Sequence, residues 1–213
     1  MKGVTFGNLH SFDDFNLVLS SKTIGVPAPK IITVPIDGAD GEIDLTDYFG
    51  EPKYSNRTLE FEFQSIVPMR DFINLFSELN NAIHGRKMKI VLDDDPDFYY
   101  IGRCSVSSWK SEGRIFKITI ICDCEPYKYK IYKTFKTNTV VAGQVVTYSN
   151  SRKSVTPKIT SDSAISFTFK NSTYSIEAAG TYTFPDLVFE SGANQIIFGG
   201  AATVTVEYQE GDL

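Results

Sequence analysis

Residues 54–65 read YSNRTLEFEFQS, and their alternation decides the fold class. Leu59, Phe61 and Phe63 fall on one side of an extended chain; Thr58, Glu60, Glu62 and Gln64 fall on the other. Successive side chains of a strand point to opposite faces, so the segment predicts a strand with one dry and one wet face. Residues 15–24 (FNLVLSSKTI), 87–92, 98–110 and 115–122 have the same strand-like texture, and Glu112-Gly113 is expected to turn the last two into a hairpin. Composition points the same way. Aromatic residues make up 13% of the chain, with 16 Phe and 11 Tyr, and such residues favour pleated, half-buried surfaces.

One segment breaks the period of two. Over residues 68–84, Met69, Phe72, Ile73, Phe76, Leu79 and Ile83 recur at helical spacing and predict one amphipathic helix packed on its own sheet. Pro68 suits its first turn, Asp71 its positive N-terminal end, and Gly85 its stop.

Upstream of residue 54 the chain changes character. Pro27, Pro29 and Pro35 punctuate a β-branched run, KIITVPI at 30–36, and DGADG follows at 37–41. Proline cannot donate to a ladder, and Asp-Gly pairs favour tight turns. Residues 30–53 therefore predict an exposed hairpin arm leaving the main sheet. A covering surface would protect its unpaired backbone. The candidate subunit-contact residues are Asp37, Asp40, Gly41, Asp44 and Thr46 on the arm, with Tyr54, Asn56 and Arg57 at its base. Asn56 and Arg57 are expected to fix its exit through hydrogen bonds.

Downstream, residues 123–133 (DCEPYKYKIYK) read as a connector. From Thr134 onward, short strands at 144–148, 164–170, 181–184, 195–198 and 203–208 are separated by Gly, Asn and Ser, with no helical stripe. That texture predicts a small β-sandwich, with Ile165, Phe167, Phe169, Tyr182, Phe184, Ile197, Val204 and Val206 in its core. The expected division is thus 1–133 and 134–213.

Charge and motifs exclude most chemistry. The chain carries 21 basic and 26 acidic residues, without the basic excess of a phosphate-gripping protein. No stretch has signal-peptide or membrane-spanning character, so membrane insertion is not expected and assembly is expected in the cytoplasm. His10 and His84 are the only imidazoles, and no GxSxG elbow, GxxxxGK[ST] loop or GxGxxG fingerprint occurs. His84 is expected to engage free carbonyls at the helix end. The run Asp93-Asp94-Asp95-Pro96-Asp97 has Phe98 and Cys104 where a calcium loop needs Gly and Glu, so it reads as a solvated turn. Cys104, Cys122 and Cys124 make neither a disulfide framework nor a four-ligand zinc site and read as buried thiols. No catalytic residue, cofactor or metal is expected.

The order of several segments resembles a known family. VTFGNLHSFDDF (4–15), PAPK (27–30), IDGADGEIDLT (36–46), YSNRTLEF (54–61), HGR (84–86), DDDPDFYY (93–100) and CEPYKY (124–129) together look like the distal tail proteins of siphophages, often called Dit. The ending VTVEYQEGDL (204–213) matches more loosely. The resemblance implies a mainly β protein: an N-terminal β-sandwich with one α-helix and a projecting β-hairpin arm, then a small galectin-like β-sandwich facing outwards. It implies a homo-hexameric ring in the virion tail that continues the tail tube. The tail tube protein would lie on one side, and tail-tip or tail-associated proteins, receptor-binding proteins included, on the other. DNA would pass through the ring without specific binding. The competing reading is a carbohydrate-binding module of a cell-wall-directed protein, although the second part has no Trp to serve as a sugar platform.

Overall fold

The computed structural model describes residues 2–38, 40–48, 50–65, 67–112 and 115–213. The chain divides into two compact units, Met1–Lys128 and Tyr129–Leu213. Residues 129–133, expected in a connector, thus belong to the second unit.

The first unit contains β1 (Val4–Phe6), β2 (Leu9–His10), β3 (Val18–Ile24), β4 (Thr33–Pro35), β5 (Glu42–Asp44), β6 (Arg57–Ser65), α1 (Met69–Ile83), β7 (Lys87–Leu92), β8 (Asp95–Glu112) and β9 (Ile115–Cys124). Its main sheet runs β2-β1-β7-β8-β9-β6-β3, antiparallel at each pairing. The strand read from residues 54–65 begins at Arg57 and alternates buried and wet along its length. Of the turn expected at Glu112-Gly113, Gly113 lies outside the described residues.

This sheet folds over on itself. β1 and β6 are four steps apart in the sheet order, which is about 19 Å in a flat sheet at roughly 4.8 Å per step. Yet the Phe6 ring meets the Phe61 ring at 5.8 Å and the Phe63 ring at 6.2 Å, edge to face. One continuous sheet therefore supplies both walls of the sandwich. Register shifts between Leu19 and Ser21, Ile90 and Leu92, and Val106 and Ser108 place irregularities in three strands, where such bulges bend the ladder and increase its twist.

α1 closes one side of this core. Phe72, Leu79 and Ile83 are buried, and Phe72 stacks on Phe116 of β9 at 4.1 Å. Met69 and Ile73, expected in the buried stripe, are instead 47% and 53% exposed. At about 100° per residue the buried face centres on Phe72 and Ile83, and Met69 and Ile73 lie at its margin. Gly85 takes φ +76 after the helix and donates its N–H to Cys104 O at 2.7 Å.

β10 (Lys128–Lys130) begins at the last residue of the first unit and carries the chain into the second, where it pairs with β19 (Gly211–Asp212). Two four-stranded sheets follow. One runs β11 (Thr134–Val140), β18 (Ala202–Tyr208), β13 (Lys158–Ser161), β16 (Gly180–Thr183). The other runs β12 (Val145–Asn150), β17 (Gly192–Phe198), β14 (Ile165–Phe169), β15 (Ser172–Ile176). Phe167, Phe169, Ile196, Phe198, Val204 and Val206 fill one shared cluster. Ile197, expected in that core, is 45% exposed, because Ile196 and Phe198 take the inward positions of β17.

Candidate subunit-contact arm

The arm is built on its own. β4 and β5 form a two-stranded sheet, with Thr33 opposite Asp44, Val34 opposite Ile43, and Pro35 opposite Glu42. Gly38 and Gly41 both take φ +82 at the tip, a conformation that only glycine adopts at no cost. Ala39 and Phe49 lie outside the described residues.

Three of the sequence-predicted residues brace or shape the hairpin itself. Ile32 N–H donates to Thr46 Oγ1 at 3.0 Å, and Thr46 N–H donates to Asp44 Oδ1 at 2.8 Å. The Thr46 side chain and backbone hold the Asp44 carboxyl below its ordinary range. Gly41 shapes the turn. Asp37 and Asp40 stand exposed at the tip.

At the base, backbone bonds tie the two legs together. Ser55 N–H donates to Ala28 O at 2.9 Å and Lys30 N–H to Lys53 O at 2.7 Å, around a bridge between Pro29 and Tyr54. The Tyr54 ring meets Tyr127 edge to face at 6.1 Å. Asn56 Nδ2 donates to Asp123 Oδ2 at 3.1 Å. Arg57 behaves differently. It is 5% exposed, its guanidinium lies 5.5 Å from the Tyr100 ring centroid, and its Nε has no acceptor among the described residues. It sits on the core side of β6, beside the Tyr100 ring.

Sequence reading missed the arm's apolar face. Val34 and Ile43 pair across the hairpin, and Ile32 and Ile36 share their side at a period of two. All four are 44–47% exposed. The signal was present in the spacing of 32, 34 and 36, but spacing does not reveal whether a face is covered.

The imidazoles and several acids outside the arm have structural partners. His10 Nδ1 lies 2.9 Å from Asp13 Oδ2, and its Nε2 lies 3.2 Å from Asp93 Oδ2, which also accepts Gly3 N–H at 2.7 Å. His84 Nδ1 accepts Val106 N–H at 3.1 Å. Its imidazole thus serves β8, and the expected bond to free helix carbonyls falls to its backbone N–H, which donates to Asn80 O at 3.0 Å. Asp94 pairs with Lys22, and Asp95 with Lys128 at 2.7 Å. Cys104 and Cys122 face each other with sulfurs 3.1 Å apart, and the hydrogen bond to Cys104 together with burial holds the Cys122 thiol far above its ordinary range. Burial pushes Cys124 up to about 12. Neutral, buried thiols of this kind are inert packing groups. Among the described residues no group of three His, Cys, Asp or Glu converges as a metal site, and no helix is long and apolar enough to cross a membrane. A hollow of about 340 Å³ on the second unit lies beside Lys170 and Glu190, which already pair with each other at 2.7 Å.

No protein-family model matches the sequence, and no curated protein sequence matches it. Among solved structures, the chain is similar to SPP1 Dit (gp 19.1), described as a paradigm of the hub adsorption apparatus in phages that infect Gram-positive bacteria. The match has a TM-score of 0.73 at 15% sequence identity and covers 98% of this chain and 99% of that one. The chain has the Dit fold.

Proposed function

We propose that this chain is a non-enzymatic structural subunit of the tail tip of a long-tailed bacteriophage or prophage, six copies of which close a ring at the end of the tail tube. The observation that carries this reading is the fold match to a hub adsorption protein along both units, arm included. The exposed hairpin adds physical support. A lone two-stranded hairpin is marginal in water, so a surface that covers it is expected in the working state. A neighbouring subunit in a ring is such a surface. Asp37, Asp40, Gly41, Asp44, Thr46, Tyr54, Asn56 and Arg57 form or support the contact.

Residues 1–133 close the ring, and residues 134–213 form a galectin-like outward docking platform. The tail tube protein joins one face of the ring, and tail-tip or tail-associated and receptor-binding proteins join the distal side. The net charge of −5 suits a lumen that DNA traverses without sticking. Assembly takes place in the bacterial cytoplasm and the product resides in the virion tail.

Light scattering on the purified chain, with negative-stain microscopy, tests this. A hexamer mass and annular particles are expected, and deletion of residues 38–46 should abolish both. A monomer at every concentration, or rings unchanged by the deletion, would overturn the reading.

A further inference from the structure

Two of the three thiols meet at a position where an antiparallel ladder can be bridged. Cys104 of β8 stands directly opposite Cys122 of β9, and both are fully buried. Cys104 N–H donates to Arg86 O at 2.9 Å, and Cys104 O accepts Gly85 N–H at 2.7 Å. Both backbone groups of Cys104 therefore point away from β9, which makes Cys104 and Cys122 a non-hydrogen-bonded pair. In such pairs the Cα atoms approach to about 4.5 Å and the side chains lie closest. That separation falls within the roughly 4.4–6.8 Å that a disulfide spans. The two sulfurs are already 3.1 Å apart.

Cys124 is placed differently. It stands opposite Gly102, which has no side chain, and its sulfur leans so close that a Cβ on Gly102 would collide with it. Cys122 shares its face two residues back, but such neighbours along a strand are about 6.6 Å apart and their Cβ bonds run parallel. Among the described residues, no thiol converges on Cys124 as Cys104 and Cys122 converge on each other.

The two facing cysteines are 18 residues apart in sequence and bracket the far half of the β8–β9 hairpin. That half carries Trp109 and Phe116, against which Phe72 of α1 rests, and the register shift between Val106 and Ser108. A covalent link at its base would keep the hairpin closed in the unfolded chain, where closing a loop of this length costs entropy.

We propose that Cys104 and Cys122 form a cross-strand disulfide site, closed by exchange with a small disulfide such as glutathione disulfide when the hairpin opens. In the exchange, one protein thiol gives up its proton and attacks the glutathione S–S bond, and the departing glutathione sulfur takes up a proton. The second protein thiol then attacks the mixed disulfide and releases the second glutathione in the same way. The protein dithiol loses two electrons and two protons, and one glutathione disulfide becomes two thiols. In the closed fold, burial keeps both sulfurs from any exchange partner. The pair therefore stays reduced in a reducing cytoplasm and closes only where an oxidising medium and transient opening of the hairpin coincide.

The test incubates the full chain with glutathione disulfide, first without urea and then in urea below the unfolding midpoint, where the hairpin opens more often. Intact mass, thiol titration in denaturant and peptide mapping are the readouts. Three free thiols are expected without urea. With urea, two thiols should be lost, the mass should fall by two hydrogen atoms, and the map should link Cys104 to Cys122. The urea midpoint read from Trp109, the only tryptophan, should then rise by about 1–2 M. Cys124→Ala should leave all of this unchanged, while Cys104→Ala should stop at a mixed disulfide with glutathione. The map on the parent chain assigns the pairing by itself, so the outcome does not hang on either variant folding. Glutathione left on the chain as the end product, a link through Cys124 or between chains, thiols that stay free, or a midpoint that fails to rise would each overturn the proposal.

Discussion

If one sheet supplies both walls of the first unit, then Phe6 and Phe61 are energetic neighbours despite lying four strands apart in the ladder. The perturbation is Phe6→Leu, Phe61→Leu and the double variant. Leucine keeps most of the apolar volume and removes the ring-to-ring contact. Phe6 is 2% and Phe61 0% exposed, so each single change should cost about 1–3 kcal/mol, the range for altered packing in a filled core. Their rings meet edge to face at 5.8 Å and 82°, and such pairs contribute about 0.5–1.5 kcal/mol beyond area burial. The double variant should therefore cost less than the sum of the singles by roughly 0.5–1.5 kcal/mol. Urea unfolding followed by Trp109 fluorescence is the assay, because the sole tryptophan lies in the first unit and reports its transition alone. In an open sheet the two positions would be about 19 Å apart. Distant sites add within about 0.5 kcal/mol. Additive costs would refute the folded-over sheet.

Gly102 has no room for a side chain: a Cβ there would meet Cys124 Sγ and stand 2.7 Å from Asp123 O, so Gly102→Ala should lower the stability of the first unit by about 1–3 kcal/mol, read from the same urea midpoint. The hydrogen bond from Lys22 holds Asp94 below its ordinary pKa, so the pair stabilises above about pH 4 and is lost as pH falls through the lowered value. Asp94→Asn should thus be less stable than the parent by about 0.5 kcal/mol at pH 6, with the difference gone near pH 2 in paired unfolding curves. The chain shortened after residue 133 should still form rings by negative-stain microscopy but fail to attach to tail tips; loss of the rings would show that the second unit is needed for closure.

The amino-acid order was legible where a local period carries the information. The β6 alternation, the α1 segment and half of the strands of the second unit were readable because side-chain direction repeats every two or about 3.6 residues regardless of what lies nearby. β1, β2, β10, β11, β13, β15 and β19 went unread. Within the unread segments at 134–140 and 158–161, polar residues occupy the wet positions and interrupt any apolar run. The candidate residues fared unevenly. Asn56 reaches Asp123 at the arm base, whereas Arg57, one residue on, points into the core, because a one-residue step along a strand reverses the face.

By itself, the sequence determined the class of the elements with a clear period and the presence of an arm with glycine turns. These follow from backbone stereochemistry and residue chemistry, which act over a few residues. Only the tertiary structure decided that Phe6 reaches Phe61, that Ile197 faces outwards while Ile196 faces in, and that Val34 with Ile43, and Met69 with Ile73, remain uncovered. Each of these depends on which distant segment packs against which face. That choice is made by the summed burial of the whole core, to which no short window of sequence has access.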